Sequence, residues 1–253
     1  MKRYTYIIIL LISAVLYSCS SASKSNINTD DPERALAIAM KSYNEGDYLQ
    51  AIEDFSLIKL KFSGTTVADK AQYYLAMSHY KREEYILAAY EFEMYIKNYP
   101  SGPEVINAAY NLAMCYYGLS PAYNLDQTYT KLAISQFQLF LELFPDNQYT
   151  SQAESRIKEL RTKLALKAYA SANLYMDMDD YRAATVYYDY VLNDYFDTEY
   201  ADDAALGKIQ ALIKRKKYSE AAEEVTKFET KFKDSPLLAR VRSLKSEIAS
   251  NLR

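Results

Sequence analysis

The feature that most constrains the fold of this chain is an alanine that recurs together with its surroundings. Ala51, Ala88, Ala133, Ala184 and Ala221 follow one another at intervals of 37, 45, 51 and 37 residues. Three residues before them stand Tyr48, Tyr85, Tyr181 and Tyr218; four after them stand Phe55, Phe92, Phe137, Tyr188 and Val225; seven after them come Ile58, Tyr95, Phe140, Val191 and Phe228. Offsets of −3, 0, +4 and +7 fall on one stripe of a helix with 3.6 residues per turn. Ala39, Ala76 and Ala172 each precede a key alanine by 12 residues, which places a small residue on each of two consecutive helices and lets their backbones approach closely. Pro100 and Pro145 fall twelve residues after Ala88 and Ala133, where proline ends a helix. The pattern predicts helix-turn-helix units, and the fold class is all-α.

Two of the intervals lie near the period of about 34 residues of a known helix-turn-helix repeat. The run Gly46-Asp47-Tyr48-Leu49-Gln50-Ala51-Ile52 resembles the central turn and second-helix start of the tetratricopeptide repeat. The expected architecture is therefore a tetratricopeptide-repeat superhelix of about five units. In the third unit Ala113 and Ala133 are 20 apart, so eight extra residues lie within 118–130, where Gly118 and Pro121 mark a loop. Between the third and fourth units, 151–167 reads as uninterrupted helix, with Ile157, Leu160, Leu164 and Leu166 apolar and Arg156, Lys158, Arg161, Lys163 and Lys167 basic. This helix divides the array into 32–150, repeats 1 to 3, and 151–253, the long helix with repeats 4 and 5.

Ahead of the repeats, Met1-Lys2-Arg3 is positive, Tyr4 to Tyr17 is apolar, and Ser18-Cys19 follows, which reads as an export signal over 1–18. About 14 residues at ~1.5 Å each fall short of a ~30 Å hydrocarbon core, so the stretch is not read as a membrane span. Leu16-Tyr17-Ser18-Cys19 resembles the lipobox of bacterial lipoproteins. That resemblance implies a diacylglycerol and an N-acyl chain such as palmitate on Cys19, and two or more chains give stable anchoring. Residues 19–31, rich in Ser and Asn, read as a flexible tether. No acidic residue directly follows Cys19, which by analogy points to the outer membrane, with the protein facing the periplasm.

Two stretches narrow the likeness. Asp126 to Phe137, continuing to Phe140-Leu141-Glu142-Leu143-Phe144-Pro145, resembles the third repeat of the BamD family, lipoproteins of the outer-membrane β-barrel assembly machinery; Ala71 to Tyr80 resembles the second. Phe196, where the family has proline, and Ile209, where alanine is usual, depart from it. The resemblance implies an adaptor that binds the barrel-forming subunit and unfolded outer-membrane proteins. By carry-over, Arg156 and Lys163 are partner-binding candidates, and Tyr73, Tyr80 and Tyr110 are candidates for a substrate groove that takes an extended, aromatic-rich segment. The alternative is a periplasmic repeat lipoprotein that recruits cell-wall or division enzymes.

Charge and motif content narrow the function further. With 30 basic and 33 acidic residues, a net charge of −3 and a pI near 5.4, the chain lacks the clustered positive charge that nucleic acid requires. Tyrosine is abundant, 27 residues against no Trp, and suits both helix interfaces and open binding surfaces. There is no phosphate-cradling glycine loop, no His-Glu-x-x-His and no Cys-x-x-Cys. The sole histidine, His79, excludes a multi-His zinc site and reads as a packing or hydrogen-bonding group between helices. Cys115, in an apolar run, reads as a small buried hydrophobe. Asp177 to Asp180 lacks the glycine and glutamate of a calcium loop and reads as an acidic turn; Lys214 to Lys217 is the equivalent turn of the fifth unit. No enzyme activity, metal or dissociable cofactor is expected.

Overall fold

A computed structural model describes residues 25–252. The signal at 1–18 and Cys19 lie outside the described residues. Among the described residues the regular structure is eleven helices: α1 (Pro32–Asn44), α2 (Tyr48–Lys61), α3 (Ala68–Lys81), α4 (Tyr85–Asn98), α5 (Val105–Leu119), α6 (Thr128–Leu143), α7 (Thr150–Asp177), α8 (Tyr181–Asp194), α9 (Ala201–Lys214), α10 (Tyr218–Lys231) and α11 (Leu238–Asn251). None is long and apolar enough to cross a membrane. Their contacts cluster into two compact units, the first ending at Ala108 and the second starting at Ala109, so that the division of the chain falls at the start of α5. The division expected at 150/151 falls inside the second unit, where α7 begins.

The alanine-keyed stripe is the core. All five key alanines are fully buried, as are the first-helix residues Ala39, Ala76, Ala113, Ala172 and Ile209, and every +4 and +7 residue is buried with them. α4 and α6 stop just before Tyr99-Pro100 and Phe144-Pro145, as a ring without a donor N–H requires. Where alanine gives way to Ile209, close approach is provided two residues earlier: a Cβ on Gly207 would come within 2.3 Å of the Tyr188 ring, so α9 lies against α8 through a bare backbone. The Tyr188 hydroxyl donates to Asn173 at 2.7 Å, which satisfies its buried polar end.

Four units turn between their helices by one device. The residue five before the key alanine is left-handed: Gly46 (φ 81°), Glu83 (φ 59°), Asp179 (φ 58°) and Lys216 (φ 59°). The next amide then reaches back five residues, Asp47 to Ser42, Glu84 to His79, Asp180 to Tyr175 and Lys217 to Leu212, at 2.9–3.0 Å. This satisfies a carbonyl of the ending helix, as in a Schellman cap. In the third unit the eight-residue insertion replaces that turn. Gln127 organises the loop by donating to the carbonyls of Ala122 (2.8 Å) and Leu125 (3.0 Å) while accepting from Thr130 (2.7 Å).

α7 runs for 28 residues, ten beyond the 167 expected, and becomes the first helix of the fourth repeat through Ala172. It packs on both α6 and α8. From Ser25 onward the segment read as a flexible tether is held. Ile27 packs on the core of the first unit, and the fully buried Asp54 carboxylate accepts from the Ser25 hydroxyl (2.8 Å) and the Asn26 amide (2.7 Å).

Only one of the four left-handed turn residues is glycine, and a left-handed non-glycine costs roughly 1–2 kcal/mol, partly offset by the greater unfolded-state freedom of glycine. Denaturant unfolding of Lys216→Gly is expected to show a gain of about 0.5 kcal/mol, and of Gly46→Ala a loss of about 1 kcal/mol. A destabilised Lys216→Gly would mean that its side chain contributes more than its backbone costs.

Candidate interaction surfaces

In the second unit the start of α7 meets α5 through a polar cluster. The Arg156 guanidinium lies over the Tyr117 ring, 4.7 Å from its centroid, and donates to the Tyr117 hydroxyl (3.0 Å) and to Glu159 (2.9 Å). The Tyr117 hydroxyl in turn donates to Glu159 at 2.6 Å. Burial pushes the Glu159 carboxyl up, but hydrogen bonds from Tyr117 and Arg156 outweigh it and leave the carboxyl below its ordinary range. The Arg156 side chain remains 40 % exposed, so its fixed guanidinium still faces solvent.

Lys163 is placed differently. It is half-buried, and its Nζ donates to Ser120 Oγ (2.9 Å), which pairs with Thr130 Oγ1 (2.6 Å). One turn on, Lys167 Nζ donates to the Leu125 carbonyl at 2.6 Å. Two lysines of α7 thus hold the inserted loop of the third repeat. Of the three tyrosines expected in a groove, two are core residues. Tyr73 is buried in the first unit against Phe92 and Tyr95, and Tyr110 is buried in the second, stacked on Tyr149 at 4.2 Å. Tyr80, edge-on to Tyr85, is half-buried. Tyr73 and Tyr110 each stand three residues before a buried first-helix alanine, a position that predicts the core and not a groove.

An open groove in the second unit has other walls. A cleft of about 490 Å³ is bounded by the start of α6, by α7 and by α8, with Lys131 and Lys167 on one side and Tyr187, Tyr190 and Tyr195 on the other. Tyr187 stacks on Tyr175 and meets Tyr190 edge-on at 5.9 Å, which presents ring faces and edges in a fixed array. These tyrosines lie outside the buried stripe of α8, and the signal that marks them is the dense run Tyr187-Tyr188-Asp189-Tyr190.

α6 carries a second apolar row beside its buried one. Tyr129, Leu132, Leu139 and Leu143 are between 38 and 58 % exposed and recur at helical spacing with Gln136 between them. The same repeat positions of α10 hold Lys217, Glu220, Lys227 and Lys231 around Glu224. The repeat therefore does not require apolar residues there, and exposed apolar rows of this kind mark interaction sites.

The remaining chemistry-bearing residues are structural. His79 Nδ1 pairs with Glu84 at 2.7 Å across the turn from α3 to α4, and Arg82 donates to the same carboxylate at 2.8 Å. Cys115 is fully buried, and burial pushes its thiol far up, away from nucleophilic use. Among the described residues no three His, Cys, Asp or Glu side chains are grouped as metal ligands.

Residues 28–228 match a family model described as outer membrane lipoprotein, YfiO. Solved structures similar to this chain include a tetratricopeptide repeat protein from Parabacteroides merdae (14 % identity, 86 % of this chain and 85 % of that chain, TM-score 0.39). Another is a thermophilic tetratricopeptide repeat protein of Thermus thermophilus (14 % identity, 88 % of this chain and 99 % of that chain, TM-score 0.36). The fold assignment rests on the helices described above.

If the α7 lysines hold the inserted loop, the double variant Lys163→Met, Lys167→Met is expected to speed amide exchange across 120–127 by about tenfold while costing no more than about 1 kcal/mol of global stability. Unchanged exchange would assign the loop's order to Gln127 alone.

Proposed function

The chain belongs to the YfiO family of outer membrane lipoproteins, and on that premise we propose that it is a lipid-anchored adaptor of outer-membrane β-barrel assembly. In this reading Cys19 carries a diacylglycerol and an N-acyl chain, the repeats face the periplasm, and the role is protein binding without catalysis. The observation that carries it is the surface of the second unit, where a satisfied helical core leaves open an apolar row on α6 and a tyrosine-walled cleft between α6, α7 and α8. A repeat protein gains nothing in stability from such exposure; a partner that covers it does.

The two surfaces suit two kinds of chain. The barrel-forming subunit is assigned to the folded face around Arg156, whose guanidinium is pre-positioned by Tyr117 and Glu159 to meet a carboxylate. Lys163 contributes by fixing the neighbouring loop. Unfolded outer-membrane proteins are assigned to the aromatic cleft, where ring faces accept an extended segment and Lys131 and Lys167 accept its acidic groups. Tyr80, more open than Tyr73 and Tyr110, remains assigned to substrate contact in the first unit; Tyr73 and Tyr110 are core residues, each of its own unit.

A photo-crosslinking residue at position 156 in cells is expected to capture a large barrel-forming outer-membrane protein. Capture of a cell-wall or division enzyme instead, with outer-membrane protein levels unchanged on depletion, would overturn the assignment. Separately, Leu132→Ser with Leu139→Ser is expected to leave stability within about 0.5 kcal/mol, because both side chains are exposed, while reducing partner recovery several-fold.

A further inference from the structure

Ahead of the first repeat the chain does not simply arrive; it is fastened. Asp54 lies in the middle of α2 and is fully buried. Its Oδ1 accepts from the Ser25 hydroxyl (2.8 Å), the Asn26 amide (2.7 Å) and Gln50 Nε2 (3.1 Å), and its Oδ2 accepts from the Ser42 hydroxyl (3.2 Å). Ser25 closes on itself by accepting from the Ile27 amide at 3.1 Å. Ile27 then packs on the core, and Lys61 donates to the Thr29 carbonyl (3.0 Å) and pairs with Asp30 (2.5 Å).

The energetic logic is that of a buried carboxylate, which is costly unless its lone pairs are filled. The repeat supplies two donors, from Ser42 and Gln50. The other two come from outside it, from Ser25 and Asn26. At the same repeat position Glu91 is paired with Lys59 and Glu224 with Lys208, both from neighbouring helices. Asp54 differs in taking half of its partners from the segment ahead of the repeats.

We propose that Asp54 is a positioning residue: by clamping residues 25–27 to α2 it sets how far the first unit stands from the membrane that holds Cys19. The proposal rests on the reading that Cys19 is lipidated. Six residue steps separate Cys19 from Ser25, and at most roughly 3.3–3.6 Å per step gives a reach of about 20 Å. Were the chain free as far as Pro32, thirteen steps would give about 45 Å. The clamp halves the leash.

The test uses the full lipidated chain in phosphatidylethanolamine and phosphatidylglycerol vesicles. Ser63→Cys carries a donor dye in the exposed turn after α2, and energy transfer to acceptor-labelled lipid reports the stand-off. The paired variant Ser25→Ala, Asn26→Pro removes two donors and leaves Asp54 and every repeat side chain in place; Asp54→Ala removes the acceptor. Both are expected to lower transfer efficiency by about half, and Asp54→Ala to speed exchange of the Asn26 amide at least about tenfold. A lowered but still cooperative melting transition, well above the assay temperature, in the paired variant separates this effect from unfolding. Transfer equal to wild type in both variants, or an Asn26 amide that exchanges in wild type as fast as in a free peptide, overturns the clamp. Failure of the wild type to float with the vesicles, with the Asn26 amide still protected, overturns the anchor and the stand-off but not the fastening itself.

Discussion

Everything in this fold depends on the close contact between the two helices of each repeat. A fully buried small residue on both helices brings the backbones together, and the aromatic or branched residues at +4 and +7 then fill the space between one pair and the next. The fifth unit shows what the contact requires. Ile209 stands in place of the alanine, and the room is left instead by Gly207 towards the preceding repeat, where the Tyr188 ring of α8 takes the place of its missing side chain. The constraint is on distance, and the chain meets it with whichever residue leaves room.

That constraint explains which parts were legible beforehand. A periodic requirement leaves a periodic trace, so the key alanines, their stripe and the helix stops at Pro100 and Pro145 could all be read directly. The inserted loop was placed by Gly118 and Pro121, although its order comes from Gln127 and from two lysines some forty residues away, a dependence that no local signal carries. The binding residues were less legible. The chemistry of Tyr73 and Tyr110 suits a binding groove, whereas their phase relative to Ala76 and Ala113 places them in the core. Tyr187 and Tyr190 line the cleft without any repeat signature.

The tether failed to be legible for a different reason. Ser25 and Asn26 belong to a run of small polar residues that reads as unstructured, and composition describes such a run only in isolation. What holds these two residues is an acceptor 28 residues beyond Asn26, hidden in a helix where Asp54 looks like an ordinary polar position. Buried polar groups with distant partners are a general blind spot of pattern reading, because their rule is satisfaction of donors and acceptors and not spacing.

α7 has a mechanical meaning. The two helices of four repeats are joined by turns, and a turn can absorb an extra residue by changing its path. The third and fourth repeats instead share one helix of 28 residues, about 42 Å of continuous backbone. A residue added or lost between its two packed ends would turn one repeat against the other by about 100° and shift it by about 1.5 Å. The angle between these repeats is therefore written as a count of residues, and the helix behaves as a keyed shaft: what twists one end must twist the other.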